Sequence, residues 1–185
     1  MRVVSGKYRG RTIHPPHNFR ARPTTDFAKE SLFNILANTF DIESLRVLDL
    51  FSGTGSIAYE FASRGCTDIE LVESDRFHMA FIRKTIAEWK IEGVTPHQVN
   101  VFSFLKYPRS PFDLIFCDPP YDMKGRELLP DSILQSGLLK PEGWLVFEHS
   151  KSVHFLKHPA LLEERNYGSV HFSFFTPGNA GTTQK

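Results

Sequence analysis

Residues 46–58 read RVLDLFSGTGSIA, and this stretch decides the fold. Arg46–Phe51 is a short, mostly apolar run, the composition of a strand buried on both faces. Gly53 and Gly55 follow at once, and a helical pattern then continues to about Arg64. The segment Gly53-Thr54-Gly55-Ser56-Ile57-Ala58 fits the loose G-x-G-x-x-G/A form of a strand–loop–helix turn that lets a ligand approach bare backbone. Outward from it the pattern alternates. IELVE (69–73) reads as a second strand, and 76–91 as an amphipathic helix with Met79, Ile82, Ile86 and Trp89 on one side. HQVNVF (97–102) holds a third strand, FDLIFCD (112–118) a fourth and WLVFEHS (144–150) a fifth, with a helix over roughly 126–139. SVHFSFF (169–175) alternates and predicts an edge strand. Strands alternating with helices imply an α/β chain with an open sheet and helices on both faces.

Upstream, residues 1–14 predict a hairpin turned by Gly6 and Gly10, and 15–23 hold three prolines and predict an irregular connector. A helix is expected to start near Thr24, Thr25 or Asp26, with Ala28, Leu32, Ile35 and Leu36 inward and Lys29, Glu30 and Asn34 facing elsewhere. The expected organisation is a basic hairpin and connector (1–23), one α/β domain (24–176) and a polar tail (177–185).

The net charge of +1 conceals an asymmetry. Residues 1–30 hold seven basic side chains against Asp26 and Glu30, so a basic arm precedes a mildly acidic body. That points to a polyanionic partner. Cys66 and Cys117 lack metal-ligand spacing, which fits reduced thiols and argues against a zinc site. The first residues lack the apolar stretch of a secretory signal, and no apolar run reaches membrane-spanning length. The expected location is the cytoplasm, away from membranes.

The glycine loop and Glu73, about 20 residues further on where a ribose diol is bound, indicate an adenosine-containing cofactor. A dinucleotide enzyme usually needs a second domain, and the residues after the third strand look like the rest of the same sheet. Asp49, immediately before the loop, suits a cationic amino-acid group better than a pyrophosphate, which favours S-adenosylmethionine. Asp118-Pro119-Pro120-Tyr121 ends the fourth strand, on the ligand-binding edge of such a sheet. An exocyclic base amine is a poor nucleophile. The Asp118 carboxylate and the Pro119 carbonyl, held by consecutive prolines, can hold that amine as two acceptors. Tyr121 offers a flat face for a base brought out of its stack.

These blocks, with Val4-Ser5-Gly6-Lys7-Tyr8-Arg9-Gly10-Arg11, Arg22-Pro23-Thr24-Thr25-Asp26 and Lys29-Glu30-Ser31-Leu32-Phe33-Asn34, make the chain resemble the 16S ribosomal RNA guanine-N2 methyltransferases of the RsmD type. The resemblance spans Arg2 to about Phe175. It implies a Rossmann-like methyltransferase fold with a mostly parallel seven-stranded sheet and an N-terminal β-hairpin, S-adenosylmethionine as cofactor, and a monomer acting on 16S rRNA in the small ribosomal subunit or its assembly intermediate. Asp118, Pro119, Pro120 and Tyr121 would be catalytic. Asp49, Phe51, Ser52, Gly53, Gly55, Glu73, Asn100, Val101, Phe102 and Asp118 would hold the cofactor, with Asn100 standing where many relatives carry Asp. Lys7, Arg9, Arg11, Arg22, Thr24 and Thr25 would meet RNA. The alternatives are a DNA adenine-N6 or cytosine-N4 methyltransferase, for which the chain lacks room for a large target-recognition region, and a catalytically silent RNA-binding assembly factor.

Overall fold

A computed structural model describes residues 1–15 and 25–178. The elements run α1 (Asp26–Thr39), β1 (Arg46–Leu50), α2 (Ser56–Ser63), β2 (Asp68–Val72), α3 (Arg76–Trp89), β3 (Val94–His97), α4 (Val101–Phe104), β4 (Phe112–Cys117), α5 (Leu129–Gln135), β5 (Leu139–His149), β6 (Leu161–Tyr167) and β7 (Val170–Phe175). The seven strands form one sheet in the order β3-β2-β1-β4-β5-β7-β6. All pairings are parallel except those of β7. The order in which strands are added reverses between β1 and β4, and that switch point is where open α/β sheets leave a crevice at the carboxyl ends of their strands.

Strand period two sorts the apolar side chains into two cores. Val47, Leu71, Leu114, Phe116, Val146 and Phe172 face α1, α2 and α3, while Leu48, Leu50, Ile115, Cys117, Phe147 and Phe175 face α4 and α5. Polar residues at the carboxyl ends follow the same alternation. Asp49, Asp118 and Glu148 therefore fall on the first face, on three adjacent strands.

The N-terminal hairpin is present as a bridge between Arg2 and Thr12, and Val3, Tyr8 and Ile13 join the first core. Glu60 of α2 fastens it: Val4 N–H donates to Oε2 at 2.8 Å and Ser5 N–H to Oε1 at 3.0 Å. Gly6 is required here, because a Cβ would lie 1.8 Å from the Ser63 carbonyl oxygen.

Four expectations need correction. Lys29 does not face solvent: it is fully buried, pairs with Glu60 at 3.6 Å and donates to the Arg2 carbonyl, so it serves the hairpin joint. The third strand ends at His97, because the Asn100 side chain caps a helical turn by accepting from Phe102 N–H at 2.9 Å. The helix expected over 126–139 is Leu129–Gln135 only, and β5 already begins at Leu139. SVHFSFF is not the edge: β7 is inserted antiparallel between β5 and β6, its side chains buried by both cores. The true edge is LLEERNY, whose charged residues disguise a strand and suit an edge open to water. The helix start is as expected, with Thr25 as the cap accepting from Ala28 N–H at 3.1 Å. Among the described residues no helix is long and apolar enough to cross a membrane.

Candidate active site

A cavity of about 720 Å³ opens at the switch point. The β1–α2 turn, the end of β2 and the start of α3, the cap of α4, and the turn after β4 wall it. The β1–α2 turn is tight. Phe51 holds φ at +57°, a left-handed conformation unusual for a side chain this bulky, and Gly55 holds +79°. Ser52 Oγ donates to the Asp49 carbonyl at 2.8 Å and locks the bend.

Asp49 is 1 % exposed. Burial is the largest cause raising its pKa to about 8, with Glu73 adding to the rise, while the Ala58 backbone and Ser52 oppose it. Asp49 lines this cavity, and its buried Oδ2 has no hydrogen-bond partner among the described residues. A buried carboxyl with an orphaned oxygen is a seat for a cation or a donor. Glu73 is differently supplied. Gly53 N–H donates to its Oε2 at 2.9 Å and Asp75 N–H to its Oε1 at 2.8 Å, so the carboxylate stands fixed on the cavity wall.

Asp118 and Glu148 end β4 and β5 side by side, since Cys117 pairs with Phe147 in the preceding rung. The Asp118 pKa is raised well above the usual range, first by burial, then by Glu148, then by Asp49. Three carboxyls thus crowd one end of one sheet face, and a cationic ligand would relieve them. Tyr121 Oη lies 3.5 Å from Glu148 Oε1, and the Arg126 guanidinium sits 5.7 Å from the Tyr121 ring centre.

The structure brings together Asp49, Phe51, Ser52, Gly53, Glu73, Asn100, Phe102, Asp118, Pro119, Pro120 and Tyr121 on one cavity. It does not bring Gly55 and Val101 to that surface. Gly55 shapes the turn, where a Cβ would meet the Tyr59 ring at 2.7 Å, and Val101 is packed in the second core. The Asn100 side-chain oxygen Oδ1 is already engaged as the α4 cap. The arm cations lie elsewhere. Lys7 N–H donates to Ser63 O, and the Arg11 guanidinium stacks on Tyr8 and Trp89, beside the last residues of α2 and α3. Both helices begin at the cavity and run away from it, so Lys7, at the far end of the eight-residue α2, lies about 12 Å from that wall and Arg11, at the far end of the 14-residue α3, about 21 Å. Thr25 is exposed and serves as the α1 cap. Arg22 and Thr24 lie outside the described residues.

Sequence reasoning passed over Ser74, Asp75, His78, Asp122 and Met123, which also wall the cavity, and Glu148 beneath Tyr121. Asp75 was findable as the cap opening α3. Glu148 had no local signal, because its meaning comes from the β4–β5 register.

The family described as Conserved hypothetical protein 95 matches residues 1–176. The Ribosomal RNA small subunit methyltransferase D of Escherichia coli K12 is 35% identical over 148 residues, covering 80% of this chain and 71% of that protein. Among solved structures, a putative methyltransferase from Escherichia coli is 29% identical with a TM-score of 0.81, covering 95% of this chain and 97% of its own. A hypothetical protein of Thermus thermophilus is 28% identical with a TM-score of 0.84, covering 95% of this chain and 99% of its own.

Proposed function

The chain belongs to the small-subunit ribosomal RNA methyltransferase D family, and from that premise we propose that it uses S-adenosylmethionine to methylate the exocyclic N2 amine of a guanine in 16S rRNA of the small ribosomal subunit. One observation carries the cofactor reading: the cavity beside Asp118-Pro119-Pro120-Tyr121 is walled by buried carboxyls, one with an orphaned oxygen. A pyrophosphate would push these raised pKa values higher still, whereas a cation would lower them and be held by the ionised carboxylates, so such a wall favours the cation. When bound, S-adenosylmethionine supplies an electrophilic methyl group on a positively charged sulfur.

The residues present fit that group. Asp49 Oδ2 would accept from its ammonium, and Glu73, held by two backbone donors, has acceptor capacity left for ribose hydroxyls. Phe51 and Phe102 offer apolar surface on the same wall. On the substrate side, Asp118 and the Pro119 carbonyl accept from the two amine hydrogens and turn the nitrogen lone pair toward the methyl donor. Asp118, ionised when a bound cation relieves the crowding of carboxyls, is also the group positioned to take the proton that the nitrogen must shed. Tyr121 stacks on the base, which must leave its helix to enter. Lys7, Arg9 and Arg11 would engage phosphates remote from the target.

The test is methyl transfer from labelled S-adenosylmethionine to small subunits from cells lacking this protein, followed by nucleoside analysis. Label in N2-methylguanosine is expected. Label confined to DNA or protein would overturn the substrate.

A further inference from the structure

A second groove, of about 440 Å³, shares Tyr121 with the cavity and runs over Ser150 and Lys151 to the β6–β7 turn at Gly168 and Ser169. Its chemistry differs from that of the first. Lys151 is exposed and forms no ion pair among the described residues. The Arg126 side chain is fixed beside the groove, its Nη2 donating to Ser150 Oγ at 3.3 Å and Ser152 Oγ at 3.4 Å. Its Nη1 is buried and has no hydrogen-bond partner among the described residues. Beyond the turn, Tyr167 meets Phe27 edge-to-face at 5.8 Å, and Phe27 is 67 % exposed. A groove bearing Lys151, with Arg126 beside it, thus leads from the catalytic turn to the β6–β7 turn, next to the Tyr167–Phe27 pair.

We infer that the RNA strand flanking the target nucleotide lies in this groove, a phosphate against Lys151 and a neighbouring base stacked on Phe27. The inference rests on the proposed RNA substrate. A base flipped into the cavity remains covalently joined to its neighbours, so the strand must leave across surface that adjoins Tyr121. The hairpin tip packs on the far ends of α2 and α3 and lines neither the cavity nor the groove. The second groove adjoins Tyr121, carries Lys151 and ends at the turn that follows Tyr167, on whose ring Phe27 packs; a cation beside an exposed ring is the pairing by which single strands are held without sequence preference. Lys151 and Phe27 are exposed, so neither position is needed for folding.

The test is steady-state methyl transfer to small subunits by Phe27→Ala, Phe27→Trp, Lys151→Ala and the unaltered protein, with S-adenosylmethionine affinity measured in parallel. Phe27→Ala should raise KM for subunits about tenfold, equivalent to about 1.4 kcal/mol and within the range of one base-on-ring stack. Its kcat and cofactor affinity should stay within about twofold, and Phe27→Trp should restore KM. Lys151→Ala should lower the slope of log affinity against log salt by about one. A photoreactive benzoylphenylalanine at position 27 should crosslink to rRNA. Unchanged KM in both alanine variants, or crosslinking to ribosomal protein alone, overturns the inference while the proposed function stands. An unaltered protein that transfers no methyl group to subunits overturns both.

Discussion

Replacing Asp49 by asparagine should stabilise the ligand-free protein while disabling it. Asp49 is shifted from an ordinary value of 3.8 up to about 8, mainly by burial. The folded-state pKa lies above the unfolded-state one, so folding takes up a proton between those values. The carboxyl is harmless near pH 4 and increasingly unfavourable as pH rises toward 8, by about 1.4 kcal/mol per pH unit. At pH 7 the cost is on the order of 4 kcal/mol. Asparagine keeps the shape and does not titrate. For a chain of this size each kcal/mol moves Tm by about 2–4 °C, so Asp49→Asn should melt roughly 10 °C higher at pH 7 without ligand. The assay is thermal or urea unfolding of both proteins from pH 4 to 9. The stability difference should vanish near pH 4, grow to about pH 8 and then level. Isothermal titration with S-adenosylmethionine should show affinity falling by two or more orders of magnitude, about the 2–5 kcal/mol of a buried charge partner removed. A difference independent of pH, or an asparagine variant less stable than the parent at pH 7, would refute the assignment of Asp49 as an unrelieved buried acid.

Asp118→Ala should abolish methyl transfer and leave S-adenosylmethionine affinity within a few fold, checked by single-turnover assay and titration, because Asp118 is read as the holder of the amine. It should also ease the crowding on Glu148 and so should not lower Tm. Tyr121→Ala should cost about 5- to 100-fold in kcat/KM, the loss of one stacking face, with Tyr121→Phe close to the parent. Glu60→Gln leaves Lys29 buried against a neutral partner and should cost about 3–5 kcal/mol in urea unfolding. The same variant should speed trypsin cleavage at Arg9 and Arg11 as the hairpin detaches.

Local sequence patterns determined much of this protein. The apolar run before Gly53, the amphipathic period of 76–91 and the strand ending in Asp118-Pro119-Pro120-Tyr121 each declare themselves within a few residues, because backbone conformation and face periodicity are short-range properties. That Asp49, Gly53 and Glu73 share one cavity wall was legible for the same reason: they sit at fixed offsets from strand ends. Strand order was not legible. LLEERNY looks like a loop until β7 is seen inserted beside it, and nothing local says which of two neighbouring strands reaches the edge. Nor was the company of charges. Lys29 reads as a surface lysine until Glu60, 31 residues away, is found beside it with both side chains out of water. Asp49, Asp118 and Glu148 become one electrostatic unit only through the register of β1, β4 and β5. Charge interactions depend on distance in space and on the surrounding dielectric, and both are set by tertiary packing rather than by separation along the chain.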